Sequence, residues 1–198
     1  MKLVFKKGDA ETAPKEYACV RVTEELKGTK RLVKEGGREA LELGAGKYAD
    51  MNARKFILLM RAMVQAAKAN KSKKIAIPFD DTIRLFKNLN ESLENLIQCA
   101  AENFEMANFE FNHFKTRPEE GWDVVEEILL YGKFSSGIEK AMQKGQEIGR
   151  AVNACRTLAN KTGGDMTPTL LAKAAKKARP ESAPPKGLKS KGVWYQTE

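Results

Sequence analysis

Few residues in this chain of 198 have the type and spacing that chemistry requires. Gly44-Ala45-Gly46 is a G-x-G between an alternating segment and a helical one, the setting of a phosphate-binding turn at a helix N-terminus. It lacks the third glycine of the dinucleotide fingerprint. Gly46-Lys47 is followed by Tyr48, which cannot hold magnesium as the Ser or Thr of a P-loop does. A tight turn accounts for the segment. Asp80-Asp81 beside Arg84, and Glu119-Glu120 beside Trp122, are paired carboxylates. Hydrolysis by two metal ions needs carboxylates converging from several elements, and neighbours on one loop point apart. Both pairs read as solvated turns. Glu126 and Glu127 fall on opposite faces of a strand, with at least one expected at an edge or paired with a lysine.

His113 is the single histidine, and no nucleophile stands near it in sequence for it to activate. It reads as a packing residue at a helix end. The phenylalanines at 104, 109, 111 and 114 read as core, because the interleaved arginines of a single-strand binder are absent. Cys19, Cys99 and Cys155 are far apart, with no CxxC pair, so a cysteine/histidine zinc site lacks ligands. Each reads as a small buried hydrophobe. No residue is assigned a catalytic, cofactor-binding or metal-binding role.

The elements that would position such residues follow from periodicity. Lys2 to Lys6 alternates, with Leu3 and Phe5 on one face, and YACVRV (17–22) and REALEL (38–43) are further strands. The intervening GDAETAPKE is a polar turn, and TEELKGTKRLVKEGG a charged loop with at most a helical turn. A helix from about Asn52 to Ala69 carries a broad apolar face. IAIPF (75–79) is an inner strand covered on both sides, ended by Pro78. DDTIRLFKNLNESLEN is a polar connection to a second helix, about 91–114, with a stripe at Leu93, Ile97, Ala100, Phe104, Ala107 and Phe111. WDVVEEILLYG (122–132) is a strand, and a third helix opens at Ser135 or Ser136. Strands alternating with helices argue for an α/β domain, a mixed sheet flanked by helices.

The third helix runs into ACRTLANKTGGDMTPTLLAKAAKKA. Ile148, Val152, Cys155 and Leu158 or Ala159 fall at helical spacing. Thr162, Gly163 and Gly164 stop the helix, the glycines suiting a left-handed cap. Thr167 and Pro168 then start another, as N-cap hydroxyl and first-turn proline. Hydrophobic residues make up 42% of the chain and charged residues 31%, ordinary for a globular protein. The net charge is +9, with eight Lys/Arg against three Asp/Glu from Lys161 onward and 27 against 23 before it. The basic excess thus sits in the tail and not on the fold, which argues against a nucleic-acid-binding face. No apolar run spans a membrane and no signal segment is present, so a cytoplasmic location is the default.

The junction resembles the one in the leucine aminopeptidase (cytosol aminopeptidase) family, where a long helix leaves the N-terminal domain for the metallopeptidase domain. The matching residues are Ala154, Arg156, Leu158, Asn160, Asp165, Met166, Thr167, Pro168, Thr169, Leu171, Ala172 and Ala175. REALELGAGKYADMN with the helix and strand after it, and NFEMANFEFNHFKT, resemble segments of the same N-terminal domain. The resemblance implies a macro-domain-like fold over 1–137, then a connector helix and the first helix of a truncated peptidase domain over 138–179; by its proline, lysine and small-residue composition, 180–198 reads as a disordered basic tail. The resemblance also implies a parent activity that releases N-terminal amino acids from peptides with two divalent metals, Zn or Mn, held outside this chain. The family motifs G-K-G-[IV]-T-[FY]-D-[ST]-G-G and N-T-D-A-E-G-R do not occur here. The chain is therefore expected to be inactive and monomeric on its own, although the family is homohexameric. The rival reading is a DNA-binding or assembly module.

Overall fold

The computed structural model describes residues 1–25, 28, 30–133 and 136–178. The chain divides into two compact units, Met1–Thr157 and Leu158–Glu198. The expected N-cap Ser135 and the tail from 179 onward lie outside the described residues.

The first unit is built on six strands: β1 (Lys2–Lys7), β2 (Ala18–Thr23), β3 (Lys30–Glu35), β4 (Arg38–Gly44), β5 (Lys74–Pro78) and β6 (Glu127–Gly132). Their order is β1-β6-β5-β2-β4-β3. Every pairing is parallel except β3 with β4. Helices α1 (Ala53–Ala69), α2 (Phe79–Arg84) and α3 (Leu93–Asn108) return the chain between parallel strands, and α4 (Ser136–Ala159) follows β6.

Strand β5 is central, and Ile75, Ala76 and Ile77 are fully buried. Ile75 and Ile77 join the main core with Phe56, Met60, Met63 and Val64 of α1 and Ile97, Ala100 and Phe104 of α3. Ala76 faces the other way, onto a smaller cluster of Ala10, Ala13, Tyr17, Leu129 and Tyr131. The segment after β1 is thus a packed cover for that face, not the polar turn expected. Asp9 starts its single 3-10 turn by accepting the Glu11 amide at 3.0 Å, and Ala10 and Ala13 go under. Tyr17 closes the cover, its hydroxyl donating to Glu127 at 2.9 Å.

Other expectations need correction. KRLVKE is strand β3, hairpinned to β4 through Gly36 and Gly37, whose φ of 57° and 76° suit a two-residue turn that only glycine or Asn enters cheaply. Its charge is an edge strand's: on its inner side Leu32 stands between Lys30 and Lys34. The polar connection after β5 contains α2, with Phe79 and Phe86 fully in the core. Helix α3 stops at Asn108, short of Phe111, because the Asn108 side chain both donates to and accepts from the Val125 backbone at 2.8 Å. That same pair of bonds holds residues 122–126 out of the sheet, so β6 begins at Glu127 and not at Trp122.

Helix α4 turns a different side inward than its apolar spacing suggests. Ile148, Val152 and Cys155 are exposed, while Ile138, Met142, Gly145, Gln146 and Gly149 are buried. At Gly145 and Gly149 the inner side carries no side chain because α4 lies directly against α3 there. A Cβ on Gly145 would strike the Gln98 carbonyl and come to 2.9 Å from Ala101; one on Gly149 would come to 2.9 Å from the Glu102 carbonyl. Buried Glu105 accepts from Gln146 at 2.7 Å, and Asn153 donates to the Glu105 carbonyl at 2.9 Å.

In the second unit, Thr167 caps α5 (Pro168–Ala178), its hydroxyl accepting the Leu170 amide at 3.4 Å. Leu170 and Leu171 are exposed. Gly163 and Gly164 do not take positive φ, so the left-handed cap is not what ends α4. The turn is held instead by Thr162, which donates to Asp165 and accepts the Asp165 and Met166 amides.

Two measurements test this account. Gly145→Val forces a branched side chain onto a backbone carbonyl; overpacking of this kind costs about 1–3 kcal/mol, so thermal unfolding should fall by several degrees, while Gly163→Ala, with open space around it, should leave it unchanged. Burial and the bond to Glu127 push the Tyr17 hydroxyl up to about 12. Its neutral form is the one folding favours, so its contribution holds below the ordinary tyrosine range, near 10, and disappears as pH rises toward 12. The stability gap between the natural chain and Tyr17→Phe, read by urea denaturation, should therefore narrow over that interval.

Candidate functional site

In an open, mostly parallel sheet, ligands enter the crevice outside the carboxyl ends of the strands where the strand order reverses. Here that point lies between β2 and β5, since the chain proceeds from β2 to β4 on one side and from β5 to β6 on the other. The two strands pair over only Ala18↔Ile75 and Cys19↔Ala76. Same-side rungs recur every second residue, and the next would need an amide hydrogen from Pro78, which has none. The strands separate there and leave a cleft of about 470 Å³ lined by Asp9, Cys19, Val20, Tyr48, Asp81 and Thr82 among others.

Several polar groups of this cleft are already engaged. The Tyr48 hydroxyl donates to the Val22 carbonyl at 3.2 Å, and Thr82 to the Pro78 carbonyl at 2.9 Å. Asp81 pairs with Arg84 at 3.0 Å. Burial pushes the Cys19 thiol up, and no histidine stands by to take its proton. The cleft therefore has no nucleophile with a base.

The Gly44-Ala45-Gly46 turn borders the neighbouring strand end. Its amides are committed: Ala45 donates to the Thr23 carbonyl at 2.9 Å, Gly46 to the Glu25 carbonyl at 3.0 Å, and Tyr48 to the Glu24 carboxylate at 2.9 Å. A phosphate cradle needs those N–H groups free. Gly46 has φ of 80°, as a tight turn requires.

The paired carboxylates serve separate structural purposes. Asp80 accepts the Lys133 amide at 2.8 Å, tying α2 to the end of β6. Glu120 pairs with Lys71 at 2.7 Å and Glu126 with Lys73 at 3.1 Å. Glu127 meets Lys2 at 3.1 Å as well as Tyr17, and the tyrosine's hydrogen bond, then the lysine, hold its carboxyl below the usual range. Among the described residues no group of three or more His, Cys, Asp or Glu could hold a metal ion.

His113 lies beyond α3 in an exposed turn against Phe111 and Phe114. Of the four phenylalanines only Phe104 is core; Phe114 is 57% exposed. At the junction, Arg156 lies over the Phe109 ring at 4.5 Å and donates to the Met106 carbonyl at 2.9 Å, a clasp of α4 onto the end of α3. Periodicity alone misses this contact, because Phe109 and Met106 are distant from Arg156 in sequence. The cysteines divide as well: Cys155 is exposed, whereas burial raises both Cys19 and Cys99. Thiol labelling at neutral pH should modify Cys155 within minutes and the half-buried Cys19 and Cys99 more slowly, and Cys155→Ser should remove the fast phase.

Comparison with known proteins places this architecture. Residues 4–118 match the family description "Cytosol aminopeptidase family, N-terminal domain". A probable cytosol aminopeptidase of Alkaliphilus oremlandii is 27% identical over 138 residues, 68% of this chain and 27% of the relative. The cytosol aminopeptidase of Haemophilus influenzae is 24% identical over 139 residues, again 27% of its length. The chain thus spans about a quarter of these relatives. A tomato leucine aminopeptidase mutant shares the fold with a TM-score of 0.71 at 16% identity, covering 89% of this chain and 42% of that one. The bottromycin maturation enzyme BotP, in complex with Mn, gives 0.59 at 15% identity, covering 81% and 35%. By the match over residues 4–118, the chain belongs to the cytosol aminopeptidase family and carries its N-terminal domain.

Proposed function

We propose that this chain is the non-catalytic N-terminal part of a metal-dependent aminopeptidase that releases N-terminal amino acids from peptides. The observation that carries the reading is the family match together with the state of the carboxylates. Asp80, Asp81, Glu120, Glu126 and Glu127 are each engaged by an amide, a lysine or an arginine, in three separate segments of the unit. These residues do not fit a two-metal centre, which needs several carboxylates converging with open positions. The divalent metals and the peptide contacts then belong to a peptidase domain outside these residues. Residues 1–137 are the macro-like domain, 138–179 the connector helix with the first helix of the peptidase domain, and 180–198 a basic tail.

The setting is cytoplasmic in this reading. No helix among the described residues is long and apolar enough to cross a membrane, and the curated relatives are named as cytosol aminopeptidases. In this reading the chain alone is monomeric, as expected if the peptidase domain carries the assembly contacts.

Purified chain supplied with Mn²⁺ or Zn²⁺ and leucine p-nitroanilide should release nitroaniline no faster than a protein-free blank. Metal-dependent turnover that co-purifies with the chain and survives a second chromatographic step would end this reading.

A further inference from the structure

Helix α1 and the β3–β4 hairpin do not close on each other fully. Between them is a pocket of about 180 Å³ walled by Leu43, Met51, Leu58 and Leu59. Leu43, Met51 and Leu59 are buried, and Leu58 is 38% exposed at the opening. The charged side chains lining it are two lysines, Lys30 and Lys55, and no carboxylate among the described residues joins them. Neither lysine has an ion-pair partner among the described residues. Every lysine pair the sheet does make is elsewhere: Lys2 with Glu127, Lys34 with Glu39, Lys74 with Glu16.

Edge protection explains half of this arrangement. Lys30 stands opposite Leu43 on the inner side of edge strand β3, where a charge discourages strand addition. It does not explain Lys55. That residue is half-buried on the first turn of α1, one turn before Leu58 and Leu59, and its stem lies along the apolar wall. A mostly apolar pocket bordered by two lysines that have no ion-pair partner among the described residues is complementary to a molecule with a hydrocarbon body and one negative end. Cavities near 150 Å³ with this type of lining take up benzene, which fixes the scale of the body.

We propose that this pocket binds a short apolar carboxylate, a branched aliphatic or aromatic body of about benzene's size with its carboxylate at Lys55 and Lys30. A free amino acid fits less well, because its ammonium would face the same two cations. The acid could be a free metabolite or the C-terminus of a peptide ending in an apolar residue, and the two share this chemistry. The proposal does not depend on the peptidase reading, and its test has no catalytic readout.

The full chain labelled at methionine methyls, with Met51 identified by Met51→Leu, is titrated with 4-methylpentanoate, 4-methylpentanamide, leucine and N-acetylleucine. The Met51 signal should shift saturably with 4-methylpentanoate and at least about tenfold more weakly with the amide and with leucine, as loss of a charge-assisted contact implies. Tighter binding of N-acetylleucine assigns the peptide C-terminus as the source, and weaker binding the free acid. Lys30→Gln at an exposed position, with Lys55→Gln, which keeps most of the half-buried stem, should reduce affinity for the acid to that for the amide while leaving the other methionine signals in place. Absence of a saturable Met51 shift at millimolar acid, equal binding of acid and amide, or an unchanged double variant overturns the proposal.

Discussion

A central parallel strand has to be covered on both faces, and the first unit is arranged around meeting that condition at Ile75, Ala76 and Ile77. Parallel connections place helices on a face, and here α1 and α3 fill one side with Phe56, Met60, Ile97 and Phe104. The other side receives no long helix from the strand connections described. It is closed by one 3-10 turn and a tyrosine, small enough that Ala10 and Ala13 can lie flat on Ala76 and Leu129. Tyr17 is the thick end of this cover and requires a partner for its hydroxyl, which Glu127 supplies at the start of the adjacent strand. The glutamate that sequence reasoning weighed as a chemical group is therefore part of the seal over the sheet.

Much of the first unit is legible in sequence because its segments state their period plainly. Leu3/Phe5 and Ala18/Val20 are found where alternation puts them, the apolar run at Ile75–Ile77 is the strand covered on both faces, and Asn52 caps the helix it precedes, as Thr167 does in the second unit. The failures share a cause: the deciding partner is distant in sequence. Asn108 ends α3 because Val125 is beside it, and nothing in the local string distinguishes Asn108 from an ordinary helix residue. Hydrophobicity also misjudges α4, since glycine contributes no apolar weight although Gly145 and Gly149 are the most tightly confined positions on the helix. Ile148 and Val152 give the stronger signal and lie outside. For β3, the Gly36-Gly37 pair was the available signal, and it is outweighed by the lysines on either side of Leu32.

The candidate site is legible chiefly in what its residues are not. Gly44-Ala45-Gly46 lacks the companions of a phosphate loop, and its amides prove to be bound to backbone and to Glu24. The cleft at the strand reversal is invisible in sequence, because it depends on which strands become neighbours. Pro78 is the exception that connects the two levels. Its missing hydrogen matters only because β2 lies alongside, yet once the order is known it marks the residue at which the strands part.

The pairing of β1 with β6 joins Lys2 to Glu127 and Lys7 to Gly132, so among the described strands of this unit the first in sequence is the neighbour of the sixth. A chain emerging from the ribosome can assemble the β3–β4 hairpin and pack α1 on it at once. Strand β1 has no lateral partner until nearly the whole unit has been synthesised, and contacts so separated in sequence form slowly. During that interval Leu3, Val4 and Phe5 are an unpaired apolar edge, flanked by Lys2, Lys6 and Lys7. The lysines that border the strand in the finished fold would thus first serve the nascent chain, keeping β1 from pairing with another chain before its own partner arrives.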